Sequence, residues 1–172
     1  MSAGAGNRSD MPNEMQIDRA SDRELVITRT FAAPARVVYA AWTTPEHLKR
    51  WWAPRSFGVT MYECDIDLRV GGSYRYVFGK DGQPRMAFSG VFNEVVPDAR
   101  IVATQLFEQM PHAGEAITTT TFAEHGGTTR LELRQLFPTK EALDGAVASG
   151  MTDGMRVTFA QLDELVTAFR RE

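Results

Sequence analysis

The stretch MTDGMRVTFAQLDELVTAFR, residues 151–170, decides the fold. It places Met155, Phe159, Leu162, Val166 and Phe169 at spacings of 4, 3, 4 and 3. That is the period of an amphipathic helix with one apolar stripe, about five turns long. So long a stripe needs a broad apolar surface to cover.

The surface lies upstream. Six strand-like segments run over roughly 59–68, 73–79, 86–96, 100–108, 115–123 and 128–136. The turn signals VGGS, KDGQP, VPDAR and EHGGT separate several of them. Links this short predict an antiparallel meander, because parallel crossovers need a dozen or more residues. Alternation gives each strand a dry face and a wet one. Leu131 and Leu133 alternate with Arg130, Glu132 and Arg134. Tyr74, Tyr76 and Phe78 oppose Arg75, and Tyr62, Cys64, Ile66 and Leu68 oppose Glu63, Asp65 and Asp67. The long helix is expected to cover this aromatic face.

Before the meander, ELVITRTF (24–31) reads as a strand rich in β-branched residues. Two short helices follow. Pro34 suits the first position of one, on which Val38 and Trp42 share a face. The other opens with Thr44 as N-cap, Pro45 and Glu46, and stops before Pro54. A further helix near 139–147 has Thr139 as its cap. The expectation is an α+β fold: a curved antiparallel sheet of about seven strands around a long C-terminal helix, with two short helices after the first strand.

Within TPEHLKRWWAPRSF (44–57), Trp51 and Trp52 are adjacent. Helix neighbours point about 100° apart, so one wall cannot take both rings. Leu48 shares a face with Trp52 at i, i+4. We expect one tryptophan to pack the short helices against the body. The other, assigned to Trp52, is expected near the mouth of a cavity.

The 172 residues suit one domain, expected over 23–172, with residues 1–22 read as a flexible tail. A net charge of −3 and a pI near 5.7 give no basic footprint for nucleic acid. No run reaches the roughly 18–20 apolar residues of a membrane span, and the N-terminus lacks the apolar segment of a secretory signal. Cys64 is the only cysteine, which suits a reducing, cytoplasmic setting.

The pieces FAAPARVVYAAWTTPEHLKRWWAP, DIDLRVGGSYRYVF, FSGVFNEVVPDARIV and GGTTRLELRQLFPTKEALDGAVASGMTDG occur in this order over residues 24–170. In them the chain resembles the START-like, or SRPBCC, superfamily with the helix-grip fold. Within it, the chain resembles the group named after the activator of the heat-shock-protein-ninety ATPase. The resemblance implies a cavity between sheet and long helix, which in relatives holds lipids, polyketides, hormones or other apolar molecules. Some relatives are cyclases. The eukaryotic co-chaperone carries a separate N-terminal domain that contacts the chaperone. Here only a short stretch stands in that place, which puts a chaperone partner in doubt.

The aromatic set has two readings, a packed core or a pocket lining, and the resemblance raises the second. The expected lining is Trp52, Tyr62, Tyr74, Tyr76, Phe78 and Phe88, with Thr120 adding a small polar contact. Met151, Met155 and Phe159 face them from the helix. Flexible methionine and amphipathic tyrosine suit an adaptable apolar pocket. Gly154, costly in a helix, points to a close approach to the sheet or to a ligand entrance. Some relatives have tryptophan where this chain has Met155.

Other chemistry is thinner. His47, His112 and His125 lack partners at metal-ligand spacing and read as surface residues, with His112 placed to reach a cavity rim. Cys64 reads as core filler without a partner histidine. Asp65 and Asp67 share a wet face with nothing to separate their acidities, and Arg69 sits by the Gly71–Gly72 turn. We expect no catalytic residues, metal or cofactor. The expected partner is a small apolar molecule held by sequestration or carriage. A cyclase- or hydrolase-like enzyme and a co-chaperone-type interaction module are the alternatives, and a homodimer is compatible with all three.

Overall fold

The computed structural model describes residues 14–170. Eight strands form one antiparallel sheet, and four helices accompany it. The strands are β1 (Gln16–Arg19), β2 (Glu24–Phe31), β3 (Val59–Ile66), β4 (Ser73–Lys80), β5 (Met86–Val96), β6 (Arg100–Phe107), β7 (Ala116–His125) and β8 (Thr128–Leu136). The helices are α1 (Ala35–Thr43), α2 (Pro45–Trp51), α3 (Lys140–Ala148) and α4 (Met151–Arg170). The sheet order is β1-β2-β8-β7-β6-β5-β4-β3. β3 to β8 therefore form the expected meander, and β2 returns beside β8.

Strand β1 corrects the sequence reading. It lies in the stretch expected to be a tail, and it makes the sheet eight strands wide. Ile17 pairs with Ile27, and Met15 is buried in the core. Residues 1–13 of the expected tail lie outside the described residues.

The hairpins follow their turn chemistry. Gly126 and Gly127 both have positive φ, 59° and 81°, and join β7 to β8 through the closing pair His125 and Thr128. A two-residue turn with both φ positive matches the twist of the flanking strands. Register shifts between Met61 and Glu63 in β3 and between Phe92 and Glu94 in β5 mark bulges. Bulges bend strands and sharpen their twist, which suits a sheet curled around a helix.

Helix α4 buries Phe159, Leu162, Leu165 and Val166 against the sheet. The predicted stripe is the packed one. The ring of Phe159 lies 6.2 Å from that of Phe31 on β2. Nearby, Arg29 on β2 is buried and pairs with Asp163 on α4 at 3.7 Å. Burial pulls the Arg29 guanidinium below its usual range, and the Asp163 carboxylate offsets part of that.

Thr44 ends α1 and begins α2. Its hydroxyl makes no capping bond, so its backbone conformation and Pro45 define the second helix start. α1 begins at Ala35, one residue later than expected, and its first N–H donates to Glu124 Oε1 on β7 at 2.7 Å. A carboxylate there also favours the helix dipole. Thr139 caps α3 as expected, its hydroxyl accepting from the Ala142 N–H at 3.0 Å.

Candidate functional site

Between the concave face of the sheet and α2, α3 and α4 lies a cavity of about 840 Å³. Its walls are mainly apolar, and their geometry follows from local sequence. Pro54 cannot extend α2, so the chain turns after Trp52. Gln161 on α4 holds this turn. Its amide N–H donates to the carbonyls of Trp51 and Ala53, each at 2.8 Å, and its oxygen accepts from the Arg55 N–H at 3.0 Å.

The two tryptophans then diverge. Trp51 is 2% exposed, donates from its indole to the Ala41 carbonyl at 2.8 Å and lies 5.0 Å from Trp42. It ties α2 to α1. Trp52 is half-buried and meets the sheet edge-on, with its ring 5.4 Å from Tyr76, 5.0 Å from Phe78 and 6.0 Å from Phe88. Phe78 and Phe88 stack at 5.4 Å. Such contacts add to the area buried, because ring edges are positive and faces negative.

Tyr74, Tyr76, Phe78, Phe88 and Thr120 line the cavity from the sheet. Met151, Met155 and Phe159 line it from α4, and Trp52 from the end of α2. Tyr62 is the exception among the predicted site residues. It occupies the β3 bulge, so Met61 and Cys64 take the inward positions instead. Its hydroxyl donates to Asp81 Oδ1 at 2.6 Å, and Arg85 covers its ring at 4.1 Å. A period-two count that ignores the extra residue puts this side chain on the wrong face.

Tyr74 reaches across β5 to donate to the Thr104 carbonyl at 2.6 Å. Gly90 permits the crossing. A Cβ there would stand 1.9 Å from Thr104 O and 2.7 Å from the Tyr74 ring. Burial pushes the Tyr74 and Tyr76 phenols above their ordinary range. Cys64 lies behind the lining, and burial raises its thiol to about 12.

The interior also contains residues that the sequence reading did not assign to it, including Trp42, Phe107, Gln105 and Gln135. Gln135 had a signal. It continues the inward series Leu131, Leu133, as a polar side chain where an apolar one was due. Its side chain is 4% exposed, and its Oε1 has no hydrogen-bond partner.

Exposed lining residues on α3, the α3–α4 junction, the β6–β7 connection and the segment after α2 mark the mouth. Phe57 and Met110 are exposed on it, each at 46%. His112 and Glu141 are also exposed there. Gly154 lines the cavity, and a Cβ added to it would meet nothing within 4 Å. That removes the close-approach reading of this glycine. Among the described residues, no cluster of three His, Cys, Asp or Glu side chains forms a metal site. No described helix is long and apolar enough to cross a membrane.

A curved antiparallel sheet gripping a long helix around an apolar cavity defines the helix-grip class. The chain belongs to the family described as Activator of Hsp90 ATPase homolog 1-like protein, whose model matches residues 32–167. It is similar to a crystal structure from Rhodobacter sphaeroides, with 29% identity, a TM-score of 0.83, and coverage of 90% of this chain and 99% of that one. It is similar to protein CV1439 from Chromobacterium violaceum, with 30% identity, a TM-score of 0.69, and coverage of 83% and 96%. For protein Ms6760 from Mycobacterium smegmatis the values are 25% identity, a TM-score of 0.80, and coverage of 90% and 98%. No curated protein matches the chain.

Proposed function

We propose that this protein binds a small apolar or aromatic molecule in the cavity between sheet and α4, sequestering or carrying it without a cofactor. The observation that carries this reading is the cavity itself: about 840 Å³, walled largely by aromatic and aliphatic side chains and reached through a mouth at α3 and α4. Ligand pockets usually fall between about 300 and 1,000 Å³ with such a lining. A fold serving only as a protein-interaction module has no use for that volume. The enzyme reading has less support, because the buried ionisable side chains in the described lining are Tyr74 and Tyr76, which burial keeps protonated. The single cysteine suits a reducing compartment, and we place the protein in the cytoplasm.

Native mass spectrometry of the protein purified from its own host tests the reading. A bound small molecule is expected, displaced on Trp52→Ala substitution. Repeated isolation without any adduct, together with no thermal shift across a broad panel of apolar compounds, would refute it.

A further inference from the structure

We infer that the cavity is built for an uncharged molecule that presents one hydrogen-bond donor to Gln135. This rests on the ligand-binding reading above and narrows it to a class of ligand.

The first observation is the unpaired amide. Gln135 lies on β8 between Leu25 on β2 and Thr118 on β7. It lines the cavity, is 4% exposed, and its Oε1 lacks a partner. A buried acceptor without a donor destabilises the fold. The hydroxyl of its β7 register partner does not relieve it, because Thr118 donates to the Ala103 carbonyl at 3.3 Å. In the free protein this oxygen is closed off from the cavity, but the terminal torsion of glutamine is soft, so it can turn toward a molecule bound there. A ligand O–H or N–H supplies what the protein withholds.

The second observation is the absence of charge inside. Among the described lining residues the only carboxylate is Glu141 and the only histidine His112, and both are exposed at the mouth. Lysine, arginine and aspartate are missing from the lining. An ionised ligand would be buried without a counter-charge, at a large desolvation cost. A neutral ligand with one donor meets no such penalty and satisfies the Gln135 oxygen.

The test uses three molecules with one shared body: 4-hexylphenol, 4-hexylanisole and 4-hexylbenzoate. Each competes near neutral pH with 1,6-diphenyl-1,3,5-hexatriene, a neutral hydrocarbon fluorophore with no hydrogen-bond donor or acceptor. The phenol donates, the anisole only accepts, and the benzoate is charged. The phenol is expected to bind at least about tenfold more tightly than either of the others. In Gln135→Leu and Gln135→Met the phenol–anisole gap should close to within about twofold. Both variants should still bind the fluorophore, which shows that they fold, and their Tm should not fall. Persistence of the gap in both variants, or tightest binding by the benzoate, overturns the inference. If the fluorophore binds the native protein but the phenol has no preference, this inference alone fails. If neither the fluorophore nor any of the three binds, the ligand-binding reading fails with it.

Discussion

The Gln161 side chain donates to the Trp51 carbonyl at 2.8 Å, so one residue of the long helix sets the end of a short helix far away in sequence. The same amide also satisfies Ala53 and Arg55. Gln161→Leu removes these bonds, together with a longer one from Arg55 Nε at 3.4 Å, and leaves two carbonyls and a backbone N–H to find other partners. We expect a loss of about 2–4 kcal/mol in urea denaturation, since each buried group left unpaired costs about 1–3 kcal/mol and relaxation recovers part. Fluorophore affinity should fall as well, because the turn that aims Trp52 loosens. A variant as stable as the native protein would show that the turn holds itself.

The two tryptophans should separate by assay. Trp51→Ala empties a deeply buried site between α1, α2 and α4, on the inner wall of the cavity, and should cost about 3–5 kcal/mol. Trp52→Ala removes a half-buried ring from the cavity wall. It should cost clearly less in stability and weaken binding of an apolar fluorophore at least about tenfold, as expected when an aromatic anchor is lost. Equal destabilisation with unchanged binding in both would end the division of labour.

Gly154 tests the entrance. Gly154→Ala should raise stability by about 1 kcal/mol, the helix-propensity difference, since the new methyl meets open space. Gly154→Leu should keep the native Tm or exceed it while slowing fluorophore entry in stopped-flow measurements. Unchanged entry rates would move the mouth elsewhere.

Buried ionisable groups give a pH signature. Burial raises the Cys64 thiol to about 12 and the Tyr39, Tyr74 and Tyr76 phenols above their usual range. In the unfolded chain these groups ionise near 8.5 and 10. Above those values the unfolded state holds fewer protons than the folded one, so stability falls with rising pH. Denaturation midpoints should be insensitive to these groups below about pH 8 and drop steadily beyond it. The thiol should react with Ellman's reagent slowly in the native protein and promptly in denaturant. Fast native reaction would contradict its burial.

The Arg29–Asp163 pair joins β2 to α4 in a buried setting, and Arg29 Nε and Asp163 Oδ1 have no other partner. Asp163→Ala should cost about 3–5 kcal/mol, because it strands a buried cation. Replacing both with Met and Leu should be near neutral or stabilising. Calorimetric Tm values for the single and double variants decide this. A double variant as damaged as the single would mean that the pair does more than fasten the helix.

Most of the architecture could be read from periodicity. Leu131 and Leu133 alternating with charged residues predict a one-sided strand, and the spacing from Met155 to Phe169 predicts the helix that covers it. What could not be read depends on deviations from period or on distance. Gln16–Arg19 is four residues long and forms because β2 offers it an edge, a tertiary cause that a local pattern does not carry. The β3 bulge displaces Tyr62 by one position, which is enough to reverse its face. Gln161 looks like an ordinary polar residue of an amphipathic helix until the α2 turn arrives beside it. The cavity is a volume left over after packing, and only its aromatic wall had a sequence signal.

The β3 bulge also bears on how copies of the chain behave in a crowd. β3 is the outer strand on its side of the sheet, with one row of backbone groups facing away from any neighbour. A straight edge of that kind invites a strand from another molecule. The extra residue at Tyr62 breaks the regular ladder, and the exposed Glu63 and Asp65 put negative charge along the same strand. An incoming strand would lose register and bury repelling carboxylates, so this rim guards the protein against edge-to-edge aggregation.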